Sequence, residues 1–328
     1  MPILDWETGA AAISDRLRDP ATLRICVKVR DEPALLRSWI EHHAPIVGAG
    51  NLIIADNDSQ MPEALEIYDT MDKSIVAFRY RGPHNDIHGH GRFDPLFETL
   101  RNSTRFVLFA DVDERLVRIG TDGWNANAGI TEHVASRRAD RIVFVPWLVN
   151  CLGAMHAFSI PCDAANGVKA HEMRMGKPIL PGRFVGRHSF IHNFQYGDFA
   201  CGNETINDLF LLHLTQFPEQ RIRANMKKLV SRGVIGPEVD VADLLRMHFA
   251  ALPDQSFMPL VNEIRWMAEH QWKIGRGLIS PGPHIHPNAL LLFPGGRLDY
   301  VGAEARDNFA RFRQEAVARP HDVFDAAA

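Results

Sequence analysis

Five short apolar runs, separated by helix-like segments, occupy the chain between positions 23 and 149. They are LRICVKV (Leu23 to Val29), NLIIAD (Asn51 to Asp56), SIVAFRY (Ser74 to Tyr80), RFVLFA (Arg105 to Ala110) and RIVFVPWLV (Arg141 to Val149). After the first run, Pro33 opens a pattern in which Leu35, Leu36, Trp39, Ile40 and His43 share one helical face. Gly48 and Gly50 end it. Further helices are predicted over Pro62 to Met71, from Asp94 and Pro95 to about Asn102, and over Ile130 to Arg138. Strand, helix, strand at this spacing calls for βαβ units, hence an α/β fold with a mostly parallel central sheet flanked by helices. Ligands of such sheets bind at the carboxyl ends of the strands.

Those ends are acidic. The fourth run delivers Asp111, Asp113 and Glu114 within FADVDER. Asp111 and Asp113 stand at i and i+2, so at a strand end they project to the same side. Close carboxylates repel unless a cation neutralises them. A hard divalent ion such as manganese or magnesium would do so, and would leave positions for phosphate oxygens. The same string also suits a solvated acidic turn. The second run ends in Asp56-Asn57-Asp58-Ser59, which fits either a base or ribose contact or an Asx turn. The first ends in Lys28 to Glu32, where Arg30 is placed to face a phosphate and Glu32 to order the loop.

The segment from Val29 to Gln60 resembles the start of a family-2-like glycosyltransferase of GT-A fold, Rossmann-like in its sheet. It is similar to the branch reading K-N-E, then L-x-x-W-x-x-x-H, then a glycine, a strand and D-N-x-S. Glu32, Trp39, His43, Asp56, Asn57 and Ser59 match, and Asp111-Val112-Asp113-Glu114 matches the D-x-D-E metal motif. Pro146-Trp147 followed by Gly153 resembles the W-x-x-x-G stretch loosely, and His213 ahead of Lys227, Lys228 and Gly233 resembles a late histidine before an amphipathic helix. The chain departs from the branch at Arg30-Asp31 in place of K-N, at Arg115 where an aromatic often follows D-x-D-E, and at His213-Leu214 in place of H-Y.

The resemblance implies a metal-dependent transferase that moves a sugar from a nucleotide-diphosphate donor, a UDP-sugar first, to the hydroxyl of a glycan or glycolipid, with inversion. It assigns manganese or magnesium to Asp111, Asp113 and His213, and the nucleotide pocket to Arg30, Glu32, Asp56, Asp58 and Asp111. Lys177, His188 and His192 fall on the acceptor or diphosphate side. An inverting transferase needs a carboxylate to deprotonate the acceptor hydroxyl. Asp198, Glu204 and Asp208 in DFACGNETIND are the candidates, Glu204 first. The expected organisation is a transferase domain over 1–235, with nucleotide-sugar binding at about 20–150 and the acceptor side at about 151–235. A mainly helical C-terminal extension over 236–328 packs on it.

The rest of the chain is read from composition. Gly153 to Gly202 is rich in Gly, Pro, His and basic residues and reads as loops and short strands covering the site. From Pro218 a helix keeps Ile222, Met226, Leu229 and Val230 on one face, and SPGPHIHPN (Ser280 to Asn288) breaks the later helical stretches. A net charge of -4 disfavours wrapping nucleic acid by charge. Cys26, Cys151, Cys162 and Cys201 form no CxxC pair and read as small hydrophobes of a reducing, cytoplasmic compartment. The first ten residues do not read as a secretory signal, and no membrane span is expected, with peripheral attachment at the inner face of a membrane left open. Two rival readings use the same residues. One is a metal-dependent hydrolase or nucleotidyltransferase that adds His84, His88 and His90. The other is a non-catalytic nucleotide-binding module of the same fold.

Overall fold

The computed structural model describes residues 3–89, 91–160, 162–163, 167–168, 176–187, 203–205, 208–249 and 257–318. In chain order the first half runs β1 (Leu4–Asp5), α1 (Trp6–Arg16), β2 (Ala21–Val29), α2 (Pro33–Val47), β3 (Leu52–Asp56), α3 (Pro62–Thr70), β4 (Val76–Arg79), α4 (Asp86–Gly89), α5 (Asp94–Ser103) and β5 (Thr104–Phe109). Of these, β2 to β5, α2, α3 and α5 are built as the periodicity dictates, whereas β1, α1 and the short α4 were not foreseen. The strands lie in the order β1-β4-β3-β2-β5, every neighbour parallel. Along β2, Leu23, Ile25, Val27 and Val29 pack against Leu36 and Trp39 of α2 on one face. Cys26 turns to the opposite face, among Ile13 of α1 and Phe97 of α5.

The second half is mixed. It holds β6 (Glu114–Ile119), β7 (Trp124–Asn125), α6 (Gly129–Ala135), β8 (Ile142–Asn150), β9 (Ala157–Ser159), β10 (Cys162–Asp163), β11 (Gly167–Val168), β12 (Gly176–Pro181), β13 (Asn203–Thr205) and β14 (Leu209–His213). The sheet continues from β5 as β12-β8-β14-β6-β7. β12 is antiparallel to both β5 and β8, and β14 runs parallel to β8 but antiparallel to β6.

The structure corrects the sequence reading in two places. ERLVRI, not foreseen as a strand, is β6. GKPILP, read as part of the site's cover, is β12, buried throughout between β5 and β8. Gly176 makes this possible, since a Cβ there would stand 2.2 Å from the Val145 carbonyl oxygen. The C-terminal segment is mainly helical among the described residues, as expected, and adds two short strands. After α7 (Pro218–Ser231), α8 (Val241–Arg246) and α9 (Met258–Gly275) come β15 (Ala289–Leu292) and β16 (Leu298–Tyr300), then α10 (Ala303–Ala318). β15 joins the sheet through β9, itself paired with β8. Leu290, Phe309 and Phe312 share a core with Val117 of β6 and Phe210 of β14. Among the described residues no helix is long and apolar enough to cross a membrane.

Candidate active site

Where β5 ends, the chain turns sharply into β6. The Glu114 N–H donates to the Asp111 carbonyl at 3.0 Å, and the Asp111 N–H donates to Glu114 Oε2 at 2.6 Å. Turn and side chain therefore lock each other. Glu114 points inward and is fully buried. Its Oε1 accepts from Trp147 Nε1 on β8 at 2.7 Å, and its Oε2 lies 3.1 Å from Lys177 Nζ on β12. Lys177 Nζ also lies 3.0 Å from Asp111 Oδ2. Asp111 and Asp113 keep 22% and 19% of their side-chain surface exposed, so they face the mouth of the site. The end of β14 delivers His213, whose Nε2 is 3.6 Å from Asp113 Oδ2 and whose ring stacks on Trp147 with centroids 4.4 Å apart. The Leu214 N–H donates to the Asp113 carbonyl at 2.8 Å, fixing β14 to the turn.

The next residues anchor the turn to α2. Arg115 stands where the branch often has an aromatic, and its buried guanidinium donates to the carbonyls of Val112 (2.8 Å), Glu114 (2.9 Å) and Leu35 (3.1 Å), and to Ser38 Oγ (2.5 Å). Two neighbouring histidines then grip both backbone groups of Leu116. His43 Nε2 accepts from the Leu116 N–H at 3.2 Å while its Nδ1 donates to the Trp39 carbonyl at 2.9 Å. His42 Nε2 donates to the Leu116 carbonyl at 2.7 Å. The pattern requires a neutral His43, and burial holds its pKa well below the ordinary range. Burial lowers His42 to about 4, against the pull of its bond to Leu116.

Charge is concentrated around the carboxylates. Burial raises Glu114 to about 8, opposed by Lys177. Burial alone would lower Lys177, but Asp111 and Glu114 outweigh it and the net direction is up. Lys28, at the end of β2, donates to Asn85 Oδ1 at 2.8 Å. Its pKa is lowered to about 8 by burial, with Asp111 pulling it up and Lys177 and Lys228 pushing it down. Glu32 is raised by burial and partly restored by Lys227 and Arg223 of α7. The first turns after β2, the D-x-D-E turn and the basic side of α7 therefore share one electrostatic neighbourhood.

The other expected residues are distributed unevenly. Asp56 is fully buried and its carboxylate is occupied from within the protein. Ser59 Oγ (2.5 Å), the Ser59 N–H (3.0 Å), Tyr68 Oη (3.0 Å) and Arg79 Nε (3.5 Å) all donate to it. The carboxylate presented outward is that of Asp58, 32% exposed and at φ 57°. Arg30 is exposed beyond the end of β2. Lys177, expected on the acceptor or diphosphate side, is instead buried between Asp111 and Glu114.

Asp208 lies at the opposite end of β14 from His213, with Arg118 Nε at 2.6 Å from its carboxylate. The structure does not bring it to the D-x-D-E turn. Glu204 lies on β13 in register with Val143, six residues before Val149, the partner of His213, so it too stands at the end away from the turn. Asp198, His188, His192 and His90 lie outside the described residues, as does the His88 side chain. His84 Nδ1 stands 3.3 Å from Asn57 Oδ1. Sequence reasoning missed Lys28 and the roles of Glu114, Trp147 and Arg115. The signals for them were the Lys28 to Glu32 string, the D-x-D-E turn and the tryptophan stretch.

Asp113 and His213 offer a carboxylate and an imidazole side by side, a donor set that suits manganese, and Asp111 adds a hard oxygen beside them. The donor chemistry fits a divalent ion. Among the described residues, however, no three His, Cys, Asp or Glu side chains already form a metal-binding group. Lys177 holds an Asp111 oxygen in this structure.

No protein-family model matches the chain, and no curated protein does. Solved structures similar to it include S. aureus TarS 1-349 in complex with UDP-GlcNAc, at 10% identity over 84% of this chain and 98% of that one, TM-score 0.38. The mannosyltransferase PcManGT of Pyrobaculum calidifontis, in complex with GDP-Man and Mn2+, is 12% identical over 83% of each chain, TM-score 0.33. GalNAc-T7 with UDP, GalNAc and Mn2+ is 10% identical over 78% of this chain and 58% of that one, TM-score 0.35.

Proposed function

We propose that this chain is a glycosyltransferase that moves a sugar from a nucleotide-diphosphate donor, a UDP-sugar first, to an acceptor hydroxyl with inversion. The observation that carries the reading is the D-x-D-E turn itself. Asp111 and Asp113 stand half-open at the carboxyl end of β5, with His213 beside Asp113 and Lys28 and Lys228 in the field of Asp111. Carboxylates in the field of lysines form a place for a ligand that carries both signs, and a metal-bound diphosphate is such a ligand. Asp113 and His213, with Asp111, would hold the ion. When bound, the ion supplies Lewis-acid stabilisation of the diphosphate leaving group. Lys28 and Lys228 add positive charge for its remaining oxygens. Asp58 and Arg30 are the polar groups presented toward the nucleotide. For the base, the reading keeps Asp198, because Glu204 and Asp208 both stand at the strand ends away from the D-x-D-E turn. It also keeps 1–235 as the transferase body with the later residues packed on it.

The test is a thermal-shift titration of UDP, GDP and CDP, each with and without manganese. One nucleotide, UDP by this reading, raises the melting temperature by roughly 3–6 °C at a hundredfold excess over its Kd, and only with metal. Asp113→Asn abolishes the shift without lowering the melting temperature of the free protein. Absence of a shift with all three nucleotides overturns the reading.

A further inference from the structure

A pocket of about 460 Å³ opens where β8 runs out at Val149 and Asn150, beyond the D-x-D-E turn. Val149 is the register partner of His213, so the pocket begins one strand away from the proposed metal residue. Its outer wall comes from the C-terminal segment. Trp266 and His270 of α9 and His284 and His286 of the loop after it line this wall, and Gln216 closes the β14 side.

Three of these rings form a row. Trp266 stacks toward His270 at 6.2 Å between centroids, and His270 meets His284 edge-on at 4.7 Å. The loop is pinned by the His284 N–H, which donates to the Leu152 carbonyl at 2.9 Å, and by the His286 N–H, which donates to Cys151 Sγ at 3.4 Å. Trp266 is 48% exposed, with no core role that accounts for so large an apolar ring at a pocket mouth.

Among the described residues the lining contains no Asp, Glu, Lys or Arg. A phosphate or carboxylate would meet imidazoles but no Lys or Arg there, an ammonium would meet no carboxylate, and each would lose its hydration. The proposed function puts the diphosphate at the D-x-D turn instead, where Lys28 and Lys228 lie in the field of Asp111. What suits an indole face edged by imidazoles and an amide is a neutral ligand with one apolar face and a rim of hydroxyls. A pyranose ring has that form.

We infer that this pocket binds a neutral sugar ring of the acceptor, so that the acceptor is a glycan held by Trp266 next to the reacting hydroxyl. The inference rests on the proposed glycosyl transfer for the word acceptor, and on the pocket alone for the word sugar.

Saturation-transfer NMR with the methyl glycosides of glucose, galactose, mannose and N-acetylglucosamine, and with glucuronic acid as the anionic control, tests it. At least one neutral glycoside binds and glucuronic acid does not. Trp266→Ala weakens that binding tenfold or more, and Trp266→Phe, which keeps an aromatic face, restores most of it. A folded Trp266→Ala protein that still shows its nucleotide-induced shift proves the loss local. Absence of binding by every neutral glycoside, or binding indifferent to Trp266→Ala, overturns the inference. Nucleotide binding without glycoside binding sinks this pocket and spares the proposed function. Glycoside binding at Trp266 with no nucleotide binding does the reverse.

Discussion

Lys177 is held at the bottom of the site, where its ammonium reaches Asp111 and Glu114 and little water. Removing one partner of a buried ion pair leaves an uncompensated charge, which typically costs about 3–5 kcal/mol. Lys177→Met should therefore destabilise the protein by about that amount in urea unfolding. The double variant Lys177→Met with Glu114→Gln should recover part of the loss, because the buried carboxylate is then gone. Equal destabilisation in the single and double variants would show that the ion pair contributes little. Clustered carboxylates need a cation, and the structure supplies one from within the chain. That could not be read from the sequence, because Lys177 lies more than sixty residues beyond Glu114 in a segment punctuated by Gly176, Pro178 and Pro181.

At the scale of elements, the grip of α2 on β6 has a pH signature. A histidine whose folded pKa is depressed binds fewer protons in the native state than in the unfolded one. Its contribution is therefore complete above the unfolded value near 6.5 and is lost as pH falls through the folded value. For His42, lowered to about 4, the window runs from about pH 6.5 to 4, and the loss reaches roughly 2 kcal/mol at pH 5. His43, lowered by burial in the same direction, adds to it. Melting temperatures should fall between pH 7.5 and 5, and His42→Gln should flatten that slope. An unchanged slope in the variant would assign the acid sensitivity to other groups. The elements legible in the sequence were those whose faces are apolar at a regular period, β2 to β5 and α2, α3 and α5. β6 was not legible, because Glu114, Arg115 and Arg118 break its pattern. Their partners are Trp147, Lys177, Ser38 and Asp208, all distant in the chain. The D-x-D end was legible as chemistry, but its lining was not, since that depends on which strands become neighbours.

Across the whole molecule, the C-terminal segment is part of the core. Leu290 of β15 and Phe309 and Phe312 of α10 cover Phe210 and Val117, with the Phe210 and Phe309 ring centroids 5.4 Å apart. A chain ending at residue 235 should expose that face and be recovered as aggregate, whereas the full chain should elute as a single species in size-exclusion chromatography. A soluble, cooperatively melting 1–235 fragment would show instead that the extension is dispensable. The same mixed topology sets a timetable during synthesis. The parallel half presents β5, an apolar strand, as its edge, and its neighbour β12 lies roughly 70 residues further along the chain. At about 5–20 residues per second, that edge leaves the ribosome several seconds before its partner does. An unpaired apolar edge is a template for pairing with other chains. The nascent protein therefore passes through an interval in which its yield depends on crowding and chaperone supply more than on the stability of the finished fold.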